Sequence, residues 1–497
     1  MALSSKRGTS LKFVKDCIDY ASLQRALGWN SVIILVKQYK EHFHSAMMCN
    51  DSCIIGCKVE MNSQNIGRTK HAVSRVTVVV LLIVVIVVAV AGGVFVLKYY
   101  THSSTTPETT NTWQFEEDNL HVYNYTWNGT IATFNTTVNG AVIVPPTFSD
   151  GLLLVDVSNG TTASGVVAIN MTNGQKVWTA VVPNLMMTQP LTYEGLVIIG
   201  LGNNVMRTDT AETVRGGGTN YVAALNFSTG ETVWTFPTVG EDMPTPLIYN
   251  GLVVFPNGNG VVYALNASTG QEAWNASLTS GAFVSMSSPA LMGDSIYFGQ
   301  NNPYTFDCVN LTDGQISWST PTPATGGLDD CSPVVWNGVV ISGYTVTTSS
   351  GLLEPVLFGV NTTNGQILWQ VDENAGPQPS GGEWFTPVTV WNGIVYSDSP
   401  ENGTLYAVDA SSGVQVWAFS TGLATCNVNV FDGYLWIVNS KGTLFVLDPV
   451  TGALLNSTNV GVSVGDGNLV FAGQNVIMWG MNGQVISMPS SDIYLGG

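Results

Sequence analysis

A fifteen-residue unit, GVVYALNASTGQEAW at Gly260–Trp274, limits what this chain can fold into more than any other feature. Val262-Tyr263-Ala264-Leu265 alternates as a half-buried strand does. Asn266-Ala267-Ser268-Thr269-Gly270 reads as a turn, because Asn and Ser bond back to their own backbone and Gly takes positive φ without steric cost. A second strand then brings Trp274. Further copies end at Trp178, Trp234, Trp318, Trp369, Trp417 and Asn456, and successive tryptophans lie 40 to 56 residues apart. A second element is interleaved: an apolar strand, a polar residue with Gly, and another apolar strand, as in PLIYNGLVVF (Pro246–Phe255) and PVVWNGVVI (Pro333–Ile341). An Asx-Gly pair between apolar runs is a hairpin signal. The chain carries eight such A–B hairpins and seven complete C–D hairpins. Self-similarity at this period with β patterning predicts propeller blades. GQVISM (Gly483–Met488) supplies an eighth C strand, and TWQF (Thr112–Phe115) is expected to pair with it, closing a ring of eight four-stranded antiparallel blades without open edges.

The recurring A-x-[D/N]-x-x-T-G-x-x-x-W pattern resembles the tryptophan-docking motif of pyrroloquinoline quinone (PQQ)-type eight-bladed propellers, over roughly Asn111 to Asp492. The resemblance implies that Trp113, Trp178, Trp234, Trp274, Trp318, Trp369 and Trp417 dock each blade on the next. It does not by itself imply chemistry. Quinone-dependent members hold a tricarboxylate cofactor with basic groups and Ca²⁺, and many carry a Cys-Cys pair. Here there is no such pair, and only Lys176, Arg207, Arg215 and Lys441 are basic after Lys98. PQQ is therefore not expected, and no catalytic residue is transferred.

The first part of the chain is a different kind of sequence. Residues 1–75 carry a net charge of +6, and everything after Lys98 carries −25. Leu11–His44 has helical character; residues 1–60 form no clear module, and Met61 is a plausible start of its own, opening a segment similar to the class III signals of archaeal surface proteins, with cleavage near Ala72. Val76–Leu97 holds 22 residues without a charge. At about 1.5 Å per residue this crosses a hydrocarbon core of about 30 Å. Arg68, Lys70 and Arg75 precede it, so the positive-inside rule puts the N-terminus in the cytoplasm and the propeller outside. Residues 98–111 form a hydroxyl-rich stalk, 112–492 the propeller and 493–497 a tail. A pilus-like subunit using the span for assembly is a further alternative.

Twelve Asn-x-Ser/Thr sequons follow the span, and Asn124, Asn128, Asn135, Asn159, Asn275 and Asn402 are the glycosylation candidates among those outside the docking turns. A net charge of −18 excludes nucleic acid as a partner. The shortage of Lys and Arg suits an acidic exterior, where carboxylates are mostly protonated.

Candidate chemistry is sparse. Beyond the span only His102 and His121 could serve a Ser/His/Asp triad, and both lie near the stalk. Cys308 fills the slot held elsewhere by Ala, and the pairing of Cys308, Cys331 and Cys426 stays open. The segments that lead into the A strands should converge at one mouth of the channel. They carry Glu241, Asp242, Asp329, Asp330, Glu383, Trp384 and Asp466. The carboxylates offer oxygen ligands for Ca²⁺, and Trp384 offers a stacking face for a sugar or flat ligand. The simpler expectation for these groups is solvated loop charge. The sequence thus points to a cell-surface propeller that binds or scaffolds an extracellular protein, glycan or small solute. A membrane-anchored PQQ-dependent alcohol or sugar dehydrogenase is the alternative.

Overall fold

The computed structural model describes strands at 12–19 and 53–60, residues 124, 125 and 127, and then residues 129–494 apart from 160–163, 209–212, 374–387, 400–402, 423–427 and 461–468. The chain divides into units at 1–105 and 106–497. In the first, Lys12–Asp19 pairs antiparallel with Cys53–Glu60, so the helical expectation for the beginning of Leu11–His44 is not met. Val76–Leu97 lies outside the described residues. Among the described residues no helix is long and apolar enough to cross a membrane.

The second unit is a ring of eight antiparallel blades. Blade 3 is representative: strands A to D are Leu247–Tyr249, Leu252–Pro256, Val261–Asn266 and Glu272–Ser277. The A–B turn has Asn250 at φ 49° and Gly251 at φ 78°, both left-handed, which matches the twist of the strands it joins. In the C–D turn, Asn266 Oδ1 accepts the backbone N–H groups of Ser268 and Thr269. A register shift after Ala264 then sets Trp274 opposite that alanine. The same shift sets Trp178, Trp234 and Trp417 opposite alanines, Trp318 opposite Cys308 and Trp369 opposite Gly359. A bulky indole requires a small partner there, which accounts for Cys308 as a packing residue.

Each indole docks on the following blade. Trp178 Nε1 donates to the Phe227 carbonyl at 2.9 Å, Trp234 to Ala267 at 3.0 Å, Trp318 to Thr362 at 3.0 Å, Trp369 to Ala410 at 3.2 Å and Trp417 to Pro449 at 3.1 Å. The rings lie on the turn glycines, Trp274 on Gly314 among them. At Gly413, φ is +72° and an added Cβ would fall 2.8 Å from the Trp369 ring. Gly413→Ala is therefore expected to cost about 1–3 kcal/mol, read as a lower urea midpoint at unchanged slope. The core is a set of wedges between blades: Leu191, Ile198 and Val222 of blade 2 pack on Val253, Phe255 and Leu265 of blade 3.

Closure differs from the sequence expectation. Blade 8 takes A, B and C from Leu469–Ala472, Asn475–Trp479 and Gln484–Pro489, but its D strand is Phe134–Thr137, not Thr112–Phe115. Phe134 stands opposite Ser487 and lies on Gly174, in the place an indole holds elsewhere. Trp113 lies outside the described residues. Asn124–Tyr125 adds a parallel strand to the free edge of Leu469–Ala472. At the other end Ser490–Tyr494 is a short helix with Ile493 buried against blade 8, so packing extends into the expected tail.

Candidate functional site at one mouth of the channel

In an up-and-down blade, the D-to-A and B-to-C connections emerge on one face, and the A–B and C–D turns on the other. The docking machinery occupies the second face. On the first, the entry segments of blades 3, 4 and 5 are stitched together. The Asp329 carbonyl before blade 5 accepts the N–H groups of Met286 and Ser287 before blade 4, both at 2.8 Å. Ser287 Oγ donates to the Cys331 carbonyl at 2.8 Å. Thr188 before blade 2 donates to the Asp242 carbonyl before blade 3 at 2.8 Å.

Arg215 arrives from the connection between Leu201 and Tyr221 of blade 2. Its backbone crosses to blade 3, donating to the Gly258 carbonyl at 2.9 Å and accepting from Glu241 N at 2.8 Å. The crossing requires Gly216, at φ +119°, because a Cβ there would lie 2.2 Å from Glu241 N. The side chain places Nε 2.9 Å from Glu241 Oε1 and Nη1 3.9 Å from Asp329 Oδ2. Blades 3 and 5 are not neighbours, so one arginine can reach carboxyls from both only near the central axis.

The carboxyls are not solvated loop charges, as the simpler sequence reading had them. Glu241 is 0% exposed, Asp242 1% and Asp329 2%. Asp330 is partly exposed, with Oδ1 buried. Burial explains their electrostatics, because a charged carboxylate loses its hydration. Burial pushes the Asp242 carboxyl up to about 8, against hydrogen bonds from Thr238 and Asn257 that favour its charged form. Asn257 Nδ2 donates to Asp242 Oδ1 at 2.7 Å. Burial also holds Glu241 well above the usual range; Arg215 pulls it down, and Asp330, Asp329 and Asp242 push it further up. The ion pair with Arg215 is off the hydrogen-bond line, and neither Glu241 oxygen accepts a hydrogen bond. Asp329 is raised by burial and by the charge of Asp330; Asp330 is raised by burial, with Arg215 and Ser285 lowering it.

Four of the expected site residues, Glu241, Asp242, Asp329 and Asp330, thus come together, while Glu383, Trp384 and Asp466 lie outside the described residues. Among the described residues no group of three or more His, Cys, Asp or Glu could hold a metal ion, so the calcium expectation gains no support. Arg215 supplies the compensating charge instead. It was legible only as one of four cations beyond the span. Of the others, Lys176 and Lys441 are exposed, and Arg207 donates to the Val239 carbonyl. Met186 and Met243 are buried. Cys331 is buried beside Asp330, and burial pushes its thiol up to about 12. Among the sequons, Asn135, Asn159 and Asn275 are exposed; Asn128, Asn402 and the side chain of Asn124 lie outside the described residues. Among the described residues of this mouth one guanidinium faces Glu241, Asp329 and Asp330, which does not supply the several basic partners that a quinone with three carboxylates takes.

The family model described as outer membrane protein assembly factor BamB matches residues 165–419 and 339–492. Tetrathionate hydrolase of Acidithiobacillus ferrooxidans is 27% identical over 352 residues, 66% of this chain and 70% of that one. The tetrathionate hydrolase of Acidianus ambivalens is likewise 27% identical, over 66% of this chain and 68% of its own. Among solved structures, BamB from Moraxella catarrhalis aligns over 72% of this chain and all of its own, at 14% identity and a TM-score of 0.54.

Proposed function

The chain belongs to the family described as outer membrane protein assembly factor BamB, and from that membership and its buried acid cluster we propose that it is an acid-dependent hydrolase of a polythionate such as tetrathionate. The observation that carries this reading is the packing of Glu241, Asp329 and Asp330 around Arg215, with Asp242 beside Glu241. Perturbed carboxyls gathered in one mouth are what acid–base chemistry needs. The two tetrathionate hydrolases among its relatives supply the substrate class.

Hydrolysis adds water across a sulfur–sulfur bond. One sulfur takes the hydroxyl; the other leaves as thiosulfate and takes a proton. Tetrathionate is a dianion, so a mouth of ionised carboxylates would repel it. Protonated carboxyls remove that repulsion and donate hydrogen bonds. Asp329 and Asp330, adjacent and both disfavoured as anions, are assigned to the two proton transfers: one protonated carboxyl gives its proton to the leaving sulfur, and the attacking water returns a proton to the pair, which ends as it began. We place the propeller outside the cell on the span at 76–97, where an acidic exterior would supply those conditions.

The test is incubation of the purified chain with tetrathionate at about pH 3 and about pH 9, following thiosulfate release. Turnover confined to acid is expected. No turnover at either pH, from protein shown to be folded, overturns the reading. Binding or scaffolding of an extracellular protein or glycan then stands next. It is favoured by a row of exposed apolar residues on the outer strands, Val177, Val233, Leu368, Val416 and Leu455.

A further inference from the structure

We propose that Arg215 holds an oxyanion of sulfur at the channel mouth, either one sulfonate end of the substrate or free sulfate, and that Glu241 and Asp329 cover this arginine until they lose their charge. The substrate arm rests on the polythionate reading above; the sulfate arm does not.

The geometry is that of an arginine presented rather than buried. Its side chain keeps 19% exposure, whereas Glu241 and Asp329 keep 0% and 3%. Of the three, Arg215 alone opens to the mouth. Its main chain is anchored by backbone bonds to Gly258 and Glu241, so the root of the side chain stays at the mouth whatever the charge of the carboxyls. Its hold on them is poor. Nε is buried without a hydrogen-bond acceptor, and the Asp329 contact is at 3.9 Å. A planar fork of N–H donors with unsatisfied bonding capacity suits a tetrahedral oxyanion better than a misaligned carboxylate.

Among the described residues, every charged group that faces it is acidic and comes from two entry segments: Glu241 before blade 3, with Asp242 behind it against Thr238 and Asn257, and Asp329 and Asp330 before blade 5. The blade 3 turn at Asn257–Gly258 and the blade 4 turn at Asn301–Asn302 bring no charge. With the carboxyls ionised, the mouth is net negative and the guanidinium is neutralised. With them protonated, Arg215 is the one charge left among the described residues of the mouth, and it attracts anions. Each acid is held toward its neutral form by burial, so this change falls at a higher pH than for ordinary carboxyls. The site is therefore selected by anion charge in acid and closed by its own acids as pH climbs past about 8, where Asp329 gives up its proton.

Sulfate titrated calorimetrically into the intact chain at about pH 3 and about pH 9 tests this without any turnover. Wild type is expected to bind at the lower pH, and at least about tenfold more weakly at the higher. Arg215→Gln is expected to lose at least about tenfold in sulfate affinity in acid, and to raise KM for tetrathionate by about 10–100-fold with a smaller change in kcat. Glu241→Gln with Asp329→Asn is expected to bind sulfate at about pH 9 as wild type does at about pH 3. The proposal is overturned if wild type binds no sulfate at either pH, if Arg215→Gln binds it unchanged, or if the double variant keeps the wild-type pH dependence. Should Arg215→Gln fail to fold, the double variant decides. Absence of tetrathionate hydrolysis with the sulfate pattern intact would sink the enzyme reading and leave the anion site standing.

Discussion

Asp329→Asn and Asp330→Asn are each expected to lower kcat for tetrathionate hydrolysis by about 10²–10³-fold, equivalent to about 3–4 kcal/mol of transition-state stabilisation. The argument begins with proximity. Asp329 and Asp330 are adjacent in the chain, share one buried segment and face the same guanidinium. Two carboxyls so placed do not ionise together easily, which keeps the pair protonated in acid, able to give one proton to the leaving sulfur and recover one from water. Asparagine keeps the shape of the side chain and removes the exchangeable proton. A purely packing role would leave kcat nearly unchanged. The expected signature is a fall in kcat with one limb of the pH profile lost. Asp294→Asn serves as the control, because Asp294 is exposed on the docking side and only accepts a hydrogen bond from Tyr249 at 2.6 Å. Full activity in either mouth variant would overturn the assignment.

The second large effect concerns stability. Folded protein is expected to be most stable in acid and to weaken as pH rises toward neutrality, the reverse of ordinary acid denaturation. Asp242 sits near 3.8 when unfolded and is pushed up to about 8 by burial when folded. The folded state therefore binds the proton more tightly. Its stabilising contribution is full below about pH 4 and is lost as pH climbs to about 8. For a shift of that size the change is on the order of 5 kcal/mol from Asp242 alone. Glu241 and Asp156 act in the same direction; Asp156 is wholly buried in blade 1 with neither carboxyl oxygen hydrogen-bonded. Urea midpoints measured between about pH 3 and about pH 8 should fall steadily, and Asp242→Asn should flatten the curve. A midpoint that rises over this range would contradict it.

The docking motif made the fold legible because one local need repeats: a turn closed by Asn and Gly, a small residue, and an indole set against it. Those contacts lie close in sequence or recur at a fixed spacing. The closing strand was misread for a related reason. A search for tryptophan finds Trp113, whereas the structure uses Phe134, which offers the ring but not the N–H. The acid pairs were visible as residues and as neighbours at a mouth, but not as buried groups. Whether Glu241 meets water depends on where Arg215, 26 positions earlier in the chain, and Asp329, 88 later, come to rest. No periodicity encodes that meeting. Arg215 itself stood in an excursion without pattern, and only the rarity of cations marked it.

The pairing of Phe134–Thr137 with Gln484–Pro489 has a temporal consequence. Seven blades complete themselves from consecutive residues, but the eighth waits for a segment some 350 residues downstream of its partner, as in the Gln484–Asn135 contact. During synthesis the ring stays open until nearly all of it has been made, with blade edges exposed meanwhile. Closure of so long a loop is slow. Once made, the latch must release before neighbouring blades can peel apart, so the molecule's lifetime is governed by the rate of opening at one seam.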